Sequence, residues 1–158
     1  MKVDLGISAK NLKSVHGLLN KVLADGNVFY IKLRKFHWNL KGPDFLELHE
    51  LFESQYTALE MAIDEVAERI STLGGIADGT MSEFIQNSQI KETPGKIPTN
   101  QEMLKELVGD HEKIIKSLRK YIESCESKYG DAGTADFLTG LMTDHETMAW
   151  KLRQYFRE

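Results

Sequence analysis

Five residues carry chemistry by type and spacing: His37, His49, Glu53, Asp64 and Glu68. His49 and Glu53 are four apart, as are Asp64 and Glu68, so on a helix each pair shares a face. At about 100° per residue, with His49 at zero, Glu53 falls near 40°, Asp64 near 60° and Glu68 near 100°. Phe45, Leu48, Phe52, Leu59, Ile63, Val66 and Ile70 gather between roughly 260° and 320°. The His/acid stripe therefore flanks an apolar stripe. Asp and Glu in such a place ordinarily make a solvated face. Histidine within the stripe, and His37 just before the Asn39–Pro43 turn that precedes His49, point instead to a metal. Across an antiparallel helix pair, His37, His49 and Glu53 stand at similar heights and can converge. Imidazole and hard carboxylate without thiolate suit iron, manganese or zinc, and an open site with few histidines favours redox iron over closed structural zinc.

Asp64 and Glu68 cannot join that group within one chain. Glu53 and Asp64 are 11 residues apart, about 16 Å along a helix. A second copy of the helix, antiparallel and centred near Ala58 and Leu59, would bring His49 and Glu53 of one chain to Asp64 and Glu68 of another. A two-fold contact is self-complementary and generates two such sites. The spacing thus predicts a site between subunits of a homo-oligomer.

The elements that position these residues are punctuated by Pro43, Pro94 and Pro98. A first long helix is predicted from Ser8 to about Asn39, with Leu12, Val15, Leu18, Leu19, Val22 and Leu23 at three-four spacing and Asp25-Gly26 tolerated inside it. Asp44, with Glu47 three residues on, is read as a capping box opening the second helix, which stops at Gly74-Gly75. Residues 76–98 are too long for an ordinary loop, and Ser82–Asn87 is read as a short helix within them. Thr99 and Glu102 form a second capping box, opening a helix that ends near Gly130. Thr134 is taken to cap the last helix, ending near Arg157. Short outer turns and one long crossover make the second and third long helices parallel. The expected fold is all-α: a ferritin-like four-helix bundle, one domain over 1–158, with a short extra helix in the crossover.

The bulk numbers agree. The chain has 158 residues and a formal net charge of −4, with Lys and Arg scattered, which argues against nucleic-acid binding. One cysteine, Cys125, excludes an intrachain disulfide and is read as an inert helix residue. No apolar run reaches membrane-span length and the N-terminus has no signal-peptide core, so a cytoplasmic location is expected.

Phe36-His37-Trp38-Asn39, His49-Glu50-Leu51-Phe52-Glu53 and Asp64-Glu65-Val66-Ala67-Glu68-Arg69-Ile70 together resemble the signature of the starvation-induced DNA-protection (Dps) mini-ferritins, and the likeness spans nearly the whole chain. The resemblance implies a hollow shell of twelve subunits. Ferrous iron would be oxidised, by peroxide in preference to oxygen, at di-iron ferroxidase centres, and a ferric oxo-hydroxide mineral stored. His37, His49 and Glu53 match the ligands given by one subunit, Asp64 and Glu68 those given by its two-fold mate. Glu53 departs from the family pattern, which usually has aspartate there. The resemblance also places Asp131 and Asp136 at a three-fold pore for ion entry and Trp38 beside the iron as a radical quencher. Helix-dipole stabilisation of Asp136 and simple aromatic packing of Trp38 are the alternatives.

Other readings are weaker. A classical ferritin would need Glu-x-x-His motifs inside the bundle, but Val108 precedes His111 and Met142 precedes His145 by three. A DNA-compacting member with little redox role would need a basic tail, and only Lys2 precedes the first helix. His16, His111 and His145 have no evident partners and are assigned to the surface or to packing.

Overall fold

The computed structural model describes residues 3–156; Met1, Lys2, Arg157 and Glu158 lie outside the described residues. Five α-helices follow in order: α1 (Ala9–Asn39), α2 (Phe45–Thr72), α3 (Met81–Asn87), α4 (Asn100–Glu123) and α5 (Ala132–Arg153), with a π-helical segment at Ser124–Tyr129. There is no strand among the described residues.

Cross-helix contacts give the topology. His16 of α1 reaches the Leu73 carbonyl just beyond α2, while His37 at the other end of α1 meets His49 near the start of α2. Those helices are antiparallel. Asn11 bonds the Tyr129 carbonyl and Lys32 bonds Asp110, so α1 and α4 are antiparallel too. Hence α2 and α4 run parallel, and the connection between them crosses the bundle's length, as expected. Phe29, Phe36, Phe52, Leu19, Leu33, Leu48, Leu59, Ile70, Met103, Leu104, Leu107 and Leu118 are fully buried between the helices. Each such side chain contributes about 1.5–3 kcal/mol by leaving water.

Asp25 and Gly26 have positive roles inside α1. The buried Asp25 carboxylate accepts from Ser88 Oγ at 2.8 Å, the Gln89 amide at 2.8 Å and Gln89 Nε2 at 2.7 Å. It pins the crossover to the bundle. At Gly26 a Cβ would stand 3.0 Å from Ile63 Cγ1, so the missing side chain lets α2 approach.

Several boundaries differ from the sequence expectation. Asp44 is the N-cap of α2 but makes no capping hydrogen bond. Its backbone, at φ −89° and ψ 13°, closes a turn in which the Phe45 amide bonds the Gly42 carbonyl. That conformation suits the third residue of a type I turn and is not the extended one that aims a cap side chain. The crossover helix begins at Met81 and has a capping box of its own, Thr80 with Glu83; Thr99 with Glu102 caps α4 as expected. The helix leading to Gly130 does not stay α: its last six residues are π-helical before Gly130 turns left-handed at φ 68°. Thr134 is not the cap of α5. Asp131 is, accepting from the Thr134 amide at 2.9 Å and the Thr134 hydroxyl at 2.6 Å. The helix ends at Arg153, one turn short of Arg157. None of the helices is long and apolar enough to cross a membrane.

Candidate metal centre

The end of α1 and the beginning of α2 are joined by five residues, and that short turn sets His37 against His49. Their rings stack at 3.6 Å between centroids with 20° between planes. His37 Nδ1 lies 2.9 Å from the His49 carbonyl, and His49 Nδ1 lies 3.1 Å from the His37 carbonyl. A carbonyl only accepts, so each Nδ1 carries the proton and donates. In neutral imidazole the lone pair is then on Nε2. Both rings are thus fixed in position and tautomer with Nε2 free, the kind of hydrogen bonding that orients histidine ligands in metal sites.

Glu53 lies one turn beyond His49 on α2 and is exposed, while His49 is half-buried and His37 buried. One donor atom from each of the three lies within 4.8 Å of the others, and they form the one such cluster among the described residues. The donor set, two neutral imidazoles and a carboxylate, suits a divalent first-row ion such as iron, with room left for further ligands.

Asp64 and Glu68 lie exposed on α2, outside that cluster. Asp64 borders a groove between α1, α2 and α3 with Met61, Ile63, Ala67 and Phe84. Trp38 is 60% exposed, with the Arg34 guanidinium carbon 5.0 Å from its ring centre. Asp136 is exposed in the second turn of α5. Asp131 is 3% exposed and its carboxylate is occupied by Arg69, at 3.3 Å, and by Thr134. The two acids near this turn therefore have different surroundings, and only Asp136 presents a free carboxylate to solvent.

Two groups escaped the sequence reading. Tyr56 is set edge-on to the His37 ring, with centroids 5.2 Å apart. Partial burial raises its phenol pKa, as does the Glu53 carboxylate, while Arg34 opposes the rise. Tyr56 stands near 340° on the α2 wheel, between the apolar and the acidic stripes, at about 100° per residue. That border position was the available signal. The second group is His111 with His145. They are each other's partners, Nδ1 to Nδ1 at 2.8 Å, buried where α4 and α5 cross. They are packing residues and not surface ones. Burial lowers both pKa values, His145 to about 4. Cys125 is buried, and burial pushes its thiol up to about 11, which leaves it unreactive.

The bundle with its parallel second and fourth helices, and the His/carboxylate cluster on its outer face, define a ferritin-like protein. The ferritin-like domain family matches residues 17–158. A low temperature-induced protein of Nostoc sp. is 42% identical over 154 residues, covering 98% of this chain and 86% of the relative. DNA protection during starvation protein 2 of Bacillus anthracis is 40% identical over 147 residues, covering 92% and 99%. The Dps protein of Vibrio cholerae O1, described as one of a superfamily of ferritin-like diiron-carboxylate proteins, superimposes with a TM-score of 0.91. It is 31% identical and the match covers 99% of this chain and 98% of that one. This chain belongs to the Dps family of mini-ferritins.

Proposed function

We propose that this chain, as a single ferritin-like domain over 1–158, is a ferroxidase and iron-storage subunit. Ferrous iron is its substrate. His37, His49 and Glu53 of one subunit, with Asp64 and Glu68 of a two-fold-related subunit, form each di-iron centre. Twelve subunits enclose a cavity in which ferric oxo-hydroxide collects. Hydrogen peroxide is the oxidant, so iron and peroxide are consumed together and the cytoplasm is protected from their joint products.

The observation that carries this reading is the mutual clamp of His37 and His49. It leaves both Nε2 lone pairs free in a cluster where Glu53 offers a carboxylate oxygen within 4.8 Å of a donor atom of each ring, a preorganised place for a ferrous ion. Carboxylates bind both ferrous and ferric iron, and the two imidazoles favour the ferrous state. Glu53 reaches about a methylene further than an aspartate, so its carboxylate has the freedom to serve the second, weaker iron position. The exposure of Asp64 and Glu68, away from the cluster in their own subunit, fits ligands offered to another chain. Direct DNA binding is not part of the proposal, since the net charge is −4 per subunit.

Stopped-flow mixing of the shell with two ferrous ions per centre tests it. Oxidation should be rapid with peroxide and slower with oxygen. A rate equal to that of free ferrous iron under both oxidants would overturn the reading.

A further inference from the structure

Arg34 is held in place but not neutralised. Its guanidinium carbon lies 5.0 Å from the ring centre of Trp38, 5.4 Å from that of Tyr30 and 5.7 Å from that of Tyr56. Nη1 donates to the Tyr30 hydroxyl at 3.0 Å, and Nε is buried without a hydrogen-bond partner. Arg34 makes no ion pair among the described residues. Aromatic faces and a phenol oxygen fix the position of a cation, but none of them cancels its charge. Glu60 has the opposite need. It is exposed on α2 and also makes no ion pair among the described residues. At about 100° per residue it falls near 20° on the α2 wheel, between His49 and Glu53 in the acid stripe.

Helix directions bring the two together across the two-fold. α1 runs antiparallel to α2, and so does the partner's α2 in the arrangement proposed above. α1 and the partner's α2 are therefore parallel. In that arrangement His37 shares a centre with Asp64 of the partner subunit. Arg34 comes three residues before His37, and Glu60 four before Asp64. Each is one turn back, roughly 5 Å in the same direction, so they stay side by side. The α2 register gives the same answer. Arg34 lies against Tyr56, which adjoins Thr57. About an axis centred near Ala58 and Leu59, Thr57 stands level with Glu60 of the partner subunit.

We propose that Arg34 forms an ion pair with Glu60 of the partner subunit, one turn from each shared centre. The pair rests on the two-fold arrangement above. Symmetry makes it twice in every two-fold contact. A guanidinium held by aromatic faces has already lost most of its rotamer freedom, so a carboxylate gains a preorganised fork at little further cost. The pair also acts on the centre. A lone guanidinium one turn away would repel a ferrous ion, and the effect is large in a partly buried setting. Glu60 cancels that charge. It supports iron binding from the neighbouring chain without being a ligand, and it makes the centre favourable only when the right surface has docked.

Charge reversal in mixed assemblies tests it. Arg34→Glu alone sets two carboxylates against each other at every contact, and Glu60→Arg alone sets two guanidinium groups. Each variant by itself should assemble poorly and bind cobaltous ion severalfold more weakly than the unaltered protein. The two are then co-expressed with different mass tags. Where an Arg34→Glu chain pairs with a Glu60→Arg chain, one contact is reversed but complementary and the other is unaltered. Native mass spectrometry should show mixed two-fold pairs severalfold in excess of the statistical share, and cobalt affinity should return towards the unaltered value. Glu60→Gln, which folds without any new charge, should weaken cobalt binding severalfold. A statistical distribution of pairs without rescue, or Glu60→Gln with unchanged cobalt affinity, would overturn the pair. If that happens while mixed shells of His49→Ala and Glu68→Ala recover oxidation, the shared centre stands and the ion pair alone is lost. Failure of both mixtures would remove the two-fold arrangement itself.

Discussion

His37 and His49 hold each other in place by a reciprocal pair of hydrogen bonds, each ring Nδ1 to the other residue's carbonyl, at 2.9 and 3.1 Å. The pair closes the α1–α2 turn through the two Nδ1 atoms and leaves both Nε2 atoms out of the clamp. Loss of either ring removes a proposed ligand and releases its neighbour. His49→Asn should therefore weaken binding by more than the roughly 10–100-fold typical of outer-shell changes. Cobaltous ion, titrated anaerobically and followed by its visible absorption, measures this without turnover. Unchanged affinity would show that the clamp serves folding alone.

The buried His111–His145 pair predicts an acid-labile bundle. Both imidazoles have native pKa values lowered by burial, His145 to about 4. The unfolded chain takes up protons near its ordinary value of about 6.5, which the native pair resists. Stability is therefore unaffected above that value and falls as pH drops towards 4. For His145 alone the loss is about 2 kcal/mol at roughly pH 5 and about 3 kcal/mol at roughly pH 4. Urea unfolding at fixed protein concentration between pH 7.5 and 5, above the range where most carboxylates titrate, isolates the effect. A His111→Gln, His145→Leu variant should show a flatter profile over that interval; an unchanged slope would contradict it.

Much of this was legible in the sequence. The 3.6-residue periods, the prolines and the Thr99–Glu102 box located the four long helices, because local patterning dictates them. The His/acid stripe was legible because His49, Glu53, Asp64 and Glu68 all lie on one helix. Of the features made by two helices together, only the meeting of His37 with His49 and Glu53 was legible, because the short turn between them fixes their heights. The register of α4 on α5 turns His111 and His145 into a buried pair, and Tyr56 becomes a neighbour of the metal site only when α1 lies against α2. The π-helical segment has no residue signature. The family resemblance places Asp131 at a pore, but its backbone position at the head of α5 and the reach of Arg69 make its carboxylate a buried cap in this chain.

Asp136 remains as the exposed acid of that region, and its proposed role is steering. Asp136→Asn should slow ferrous uptake at low iron concentration and matter little at high concentration, since a field effect raises local ion concentration without adding a ligand. Initial oxidation rates over a range of ferrous concentrations separate the two regimes. A constant fractional loss across the range would place Asp136 in folding or in the chemistry.

Metal-free protein should leave plasmid DNA unshifted in a mobility assay at neutral pH and moderate salt. Duplex affinity grows with the number of phosphates neutralised by Lys and Arg, and a surface of net −4 per subunit repels the polymer. Strong retardation under those conditions would reveal a basic face that the formal charge conceals.

Each proposed di-iron centre is shared between two chains. His49→Ala and Glu68→Ala should each abolish rapid ferrous oxidation as homo-oligomers. In co-assembled shells, a two-fold pair of one chain of each kind carries both lesions in one centre and none in the other. Peroxide-driven oxidation, measured across mixing ratios with mixing verified by mass, should therefore recover and peak near equal proportions. Activity that stays at the level of the separate variants in verified mixed shells would contradict the shared centre.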